Sequence, residues 1–149
     1  MNKKENSDEL RAKQYLQTLN YEKLEYEPLG NVTPDFLLDN KIAIEVRRLN
    51  KNYISNEKLV HLEDIEVPII AKNIDELHEN IQLVIDEKDK KIEENFNLYD
   101  EWWLILVDYI THAISTQDFE KVKQMKLNKL KFTRVIILSP DGDFKAFKL

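Results

Sequence analysis

Two acids and a guanidinium stand at spacings that would let them act together. Asp35 follows Pro34, and Glu45 and Arg47 lie two residues apart in the run K-I-A-I-E-V-R that starts at Lys41. In a strand, alternation sends Ile42, Ile44 and Val46 to one face and Ala43, Glu45 and Arg47 to the other. Asp35 shares its parity with Thr33 and Leu37. A tight turn at Asp39-Asn40 would therefore bring Asp35 and Glu45 onto one face of a hairpin. Carboxylate oxygens suit a hard divalent cation. Arg47 is permanently charged, so it cannot serve as a base, but it can clamp an anion. A hairpin with one wet face would also carry Asp, Glu and Arg without any function, so the surrounding elements must decide.

Those elements follow from the pattern of the chain. A helix is expected over 7–20, with Ser7 as its cap, Asp8 and Glu9 at its positive end, and Leu10, Ala12, Tyr15, Leu16 and Leu19 as its apolar face. Glu9 sits at the rim of that face. A strand over 23–28 leads into the hairpin. The stretch 49–68 is rich in Asn and reads as loop, with Ser55 capping a short helix over 57–62; such a loop would lie beside the hairpin face. A long amphipathic helix over 69–96 follows, its apolar residues recurring at three- and four-residue steps from Ile70 to Phe96. Its charge run D-E-K-D-K-K-I-E-E offers the pairs Asp86 with Lys90 and Glu87 with Lys91, and reads as a solvated face. The outer end of the apolar stripe is long enough to pack on a second copy, as in a homodimer. The run W-W-L-I-L-V-D-Y over 102–109 is a strand covered on both faces, with Asp108 at its end. A basic helix over 116–130 is either a phosphate-contact surface or ordinary helix surface. A strand over 133–138, a turn at Pro140-Asp141-Gly142-Asp143 and a strand over 144–149 form a terminal hairpin.

The order α-β-β-β-α-β-α-β-β, with Pro34-Asp35 … Glu45-Val46-Arg47 on its second and third strands, resembles the PD-(D/E)xK nuclease superfamily. That restriction-endonuclease-like fold has an αβββαβ core with its metal-holding acids on those two strands. The resemblance implies an α/β protein with a mixed central sheet flanked by helices, to which a C-terminal helix and β-hairpin are added. It implies Mg2+ (or Mn2+) held by Asp35, Glu45, Glu9 and the Val46 backbone carbonyl. Arg47 stands where the family has Lys, and Arg47, Arg48 and Lys41 would meet the substrate, with Lys41 as a candidate for the missing amine. The activity implied is hydrolysis of phosphodiester bonds in nucleic acid, with DNA favoured over RNA. Two alternatives remain open. One is a catalytically inactive nuclease-fold protein that binds nucleic acid or protein, with Glu45 and Arg47 as a salt bridge. The other is an unrelated α/β subunit with the long helix as its interface.

Composition bounds these readings. At 149 residues the chain fits a single domain, and 42% hydrophobic with 34% charged residues suits a globular protein. It has no Cys, so neither a disulfide nor a thiolate zinc site can form. A net charge of −6 argues against a protein that coats nucleic acid by bulk electrostatics. A carboxylate site is negative by design, and a bound cation reverses the sign locally. No apolar run reaches membrane length and the first residues lack a signal-peptide core, so the expectation is a cytoplasmic protein without a membrane partner. His61, His78 and His112 show no ligand spacing, and two Gly leave no phosphate-cradling loop.

Overall fold

A computed structural model of the chain describes residues 7–30, 32–49, 52–55, 58–61, 74–107, 124, 126–138 and 146–148. Their order is α1 (Ser7–Gln17), β1 (Leu24–Tyr26), β2 (Phe36–Leu38), β3 (Ile42–Arg48), β4 (Asn52–Ser55), β5 (Lys58–His61), α2 (Ile74–Lys91), a 3-10 helix (Glu93–Leu98), β6 (Glu101–Val107), β7 (Arg134–Leu138) and β8 (Ala146–Lys148). Six strands form one mixed sheet in the order β1-β2-β3-β6-β7-β8. The first three make an antiparallel meander, β3, β6 and β7 run parallel, and β8 returns antiparallel on β7. Parallel β3 and β6 need a crossover connection, and α2 lies within it.

The meander is fixed by its turn. Asp39 and Asn40 take φ of 50° and 60°, and the Lys41 N–H donates to the Leu38 carbonyl at 2.9 Å. Two positive-φ residues make the primed two-residue turn that matches strand twist, and Asp and Asn tolerate that conformation best after Gly. Asp39 Oδ1 also accepts from the Glu22 and Lys23 N–H groups at 2.9 and 2.8 Å, which holds the entry to β1 against the hairpin tip.

Both faces of the sheet are covered. Ile42, Ile44 and Val46 pack with Ala12, Tyr15 and Leu16 of α1. Ala43 packs with Ile81, Val84 and Ile85 of α2. Strand β6 divides its side chains the same way: Trp102, Leu104 and Leu106 join the α2 layer, and Trp103, Ile105 and Val107 the α1 layer. Burial on both faces is what its unbroken apolar run predicts.

Several expectations need correction. Residues 52–55 and 58–61 pair as an antiparallel ribbon, with Tyr53 opposite Val60 and Ile54 opposite Leu59. The Asn residues suggested loop, but the aromatic and β-branched residues between them carry strand propensity. No helix starts at Lys58–His61. Ser7 is already helical rather than a cap outside α1, and the helix ends at Gln17, where Thr18 Oγ1 donates to the Tyr15 carbonyl at 2.6 Å. Helix α2 ends at Lys91 and tightens into the 3-10 helix, short of the continuous helix expected to residue 96. Residues 126–129 are irregular, so the expected basic helix does not extend to Leu130; its earlier part, Asp108 and the 140–143 turn lie outside the described residues. Among the described residues, no helix is long and apolar enough to cross a membrane.

Candidate functional site

The hairpin sets the two acids near enough for each to feel the other's charge. Phe36 pairs with Ile44, the last step of the β2–β3 register, and Asp35 precedes it as a bulge-like residue just outside β2. The Asp35 N–H donates to the carbonyl of that same Ile44 at 2.9 Å, which ties Asp35 to β3 out of the regular register. Asp35 Oδ2 accepts from the Val46 N–H at 2.8 Å, which fixes the carboxylate against β3.

Glu45 is fully buried beneath α2. Its Oε1 accepts from the Thr33 hydroxyl, and the Thr33 carbonyl accepts from Asn95 Nδ2 at 3.1 Å, so the 3-10 helix braces the site from behind. Its Oε2 accepts from Lys88 Nζ at 3.2 Å and from Lys91 Nζ at 3.4 Å. The Lys88 side chain is 7% exposed and that of Lys91 48%. Lys88 and Glu45 are therefore enclosed, while Lys91 and half-buried Asp35 keep contact with solvent.

The electrostatics follow from that enclosure. Burial, then the neighbouring Glu45 charge, pushes the Asp35 carboxyl up to about 7, against the pull of the Val46 N–H and the two ammonium groups. Burial lowers Lys88, with the Glu45 charge opposing. At Lys91 burial again works against the ammonium, but Glu45, the Lys88 contact and Asp35 outweigh it and the group is raised. Paired titratable groups displaced from their usual ranges inside a cleft are a signature of functional sites, though structural ion pairs produce it too.

The other expected site residues go elsewhere. Arg47 reaches α2, donating to Glu87 from Nη1 at 2.7 Å and from Nη2 at 3.3 Å. Arg48 points to the opposite layer, where Nε donates to Asp8 of α1 at 3.2 Å. Glu9 lies on that layer too and accepts from the Tyr26 hydroxyl at 3.2 Å; burial, then the Glu9 charge, raises that phenol well above its ordinary range. The sheet separates Glu9 from Glu45, and no three acids among the described residues gather where one ion could be held. Lys41 is exposed at the turn, and four residues of strand put it about 13 Å along β3 from Glu45. The expected Glu45–Arg47 salt bridge does not form either: Glu45 pairs with the two lysines and Arg47 with Glu87.

Thr33, Lys88 and Lys91 were therefore not foreseen. Lys88 was legible. It falls at the three- and four-residue spacing that links Val84, Ile85 and Ile92, on the apolar stripe rather than the wet face. A lysine on that stripe must meet a buried counter-charge or bend its amine to water. The expected Glu87–Lys91 pair would be worth only about 0.3–0.5 kcal/mol, and both members go instead to the strand below, Lys91 to Glu45 and Glu87 to Arg47.

Asp35 and Glu45 offer carboxylate oxygens, the donor type a hard divalent cation takes. Mg2+ is commonly held by one or two protein carboxylates, with water and substrate oxygens completing its shell, so the chemistry of these residues fits such an ion. No family model matches the chain, and the searches of curated proteins and solved structures gave no match.

Proposed function

We propose that the chain is a metal-dependent phosphodiester hydrolase of the restriction-endonuclease-like kind, acting on nucleic acid. The observation that carries the reading is that Glu45 of β3 holds the buried Lys88 while the Asp35 carboxyl, beside the start of β2, lies close enough to feel the charges of both. The order α1-β1-β2-β3-α2-β6 supports it: it agrees with αβββαβ once the β4–β5 ribbon is taken as an insertion after the third strand.

In this reading Asp35 and Glu45 hold Mg2+ or Mn2+, with the Val46 carbonyl adding an oxygen. A cation there supplies Lewis-acid charge and orders water next to a phosphate. Lys88 takes the part of the motif lysine, delivered from α2 rather than from β3. Its buried amine is fixed by Glu45 and can orient a water or steady charge building on a phosphate oxygen. Arg47 is committed to Glu87 and serves the fold.

The test is Mg2+-dependent cleavage of single- and double-stranded DNA and RNA. Asp35→Asn and Lys88→Met should each lower cleavage by about a hundredfold or more, and Arg47→Met should leave most of it. Cleavage that survives Asp35→Asn would place the chemistry elsewhere. A second reading is the same fold without catalysis, favoured by one observation: Glu45 is 0% exposed and both its oxygens are engaged. Glu45 would then be the centre of a buried ion pair, and Mg2+ would leave thermal stability unchanged.

A further inference from the structure

We propose that the Lys91 ammonium is a placeholder cation, holding on Glu45 the position that a divalent metal takes and leaving it when the metal binds. The inference rests on the metal-site reading above and adds an order of events to it.

Two ammonium groups converge on one oxygen, Glu45 Oε2, at 3.2 and 3.4 Å. They come from positions one helical turn apart, so two like charges are held side by side. A single carboxylate oxygen does not need both. The pair is also unequal. The Lys88 side chain is only 7% exposed and held by the fold, whereas the Lys91 side chain is 48% exposed at the last residue of α2, where it can swing out without disturbing the helix.

Charge sets the direction. Asp35 and Glu45, when ionised, carry two negative charges, and Lys88 and Lys91 carry two positive ones. The set is balanced as it stands. A divalent cation added to it leaves an excess of two positive charges in a poorly solvated space, and departure of the mobile ammonium relieves half of that. The displaced Lys91 amine stays tethered at the mouth of the site, within reach of a phosphate group entering there.

Calorimetric titration of the full chain with Mn2+ tests this. Removing the competing charge in Lys91→Gln should tighten Mn2+ binding about tenfold, while Lys91→Arg, which keeps the charge, should stay near wild type. Metal-free melting curves of both variants would confirm that each is folded. Unchanged or weaker binding in Lys91→Gln overturns the placeholder, as does equal tightening in Lys91→Arg. If neither wild type nor Lys91→Gln binds Mn2+, the metal-site reading falls and takes the placeholder with it; the wild-type titration separates that outcome from the others.

Discussion

Glu45 and Lys88 put the largest stakes on single side chains. Taking one member of a buried ion pair away leaves the other charge enclosed and uncompensated, which costs about 3–5 kcal/mol. Glu45→Ala should therefore lower unfolding free energy by about that amount in urea titrations, well beyond a surface substitution. Asp35 makes a separate prediction. Its carboxyl is displaced upward, so between its ordinary value of 3.8 and about 7 the folded chain keeps a proton that the unfolded chain has released. Stability from this group is complete below that window and is lost as pH rises through 7. Asp35→Asn keeps an acceptor for the Val46 N–H without the charge. It should match or trail the wild type near pH 4, exceed it at pH 8, and flatten the difference in melting temperature that the wild type shows between them. Of these residues, the face that Glu45 takes was readable from the alternation of β3, whereas Asp35 lies outside β2 and owes its place to the bond it makes with the Val46 N–H. Thr33 was not, because a hydroxyl on a loop carries no periodic signal until the acid it serves is placed.

At the level of elements, β3 ties the layers together. Successive residues of a strand point to opposite faces, and its last two use that rule to reach both helices: Arg47 takes Glu87 of α2 and Arg48 takes Asp8 of α1. Both pairs are partly solvated, so Arg47→Ala and Arg48→Ala should each cost only about 0.5–1 kcal/mol in chemical denaturation. The spacing that looked like a motif thus serves ion pairs with the helices, Glu45 with the lysines of α2 and each arginine with an acid. The hairpin turn gives another test. Asn40 sits at φ 60° in the second turn position. Asn40→Gly should raise stability by about 0.5 kcal/mol, and Asn40→Val should lower it by 1 kcal/mol or more. Elements with a long, single-period signal, such as α2 and β6, were legible in the sequence. The β4–β5 ribbon was not, since strands of four residues give too few positions for alternation to outweigh their Asn content.

Across the whole molecule, protection should follow depth in the sheet. Strands β6 and β7 both have neighbours on each side, and residues 102–107 and 135–138 are buried throughout. Their amides should be the slowest to exchange with deuterium by mass spectrometry, while those of three-residue β1, at the sheet edge and only half-buried, should exchange first among the strands of this sheet. The two-layer arrangement has one more consequence. The chain has two Trp, adjacent on β6, both buried and facing opposite layers. Each indole is an optical reporter for its own side. In Trp103→Phe the remaining emission follows the docking of α2, and in Trp102→Phe that of α1. Stopped-flow traces of the two variants would show whether the halves of the interior close at the same moment or in sequence.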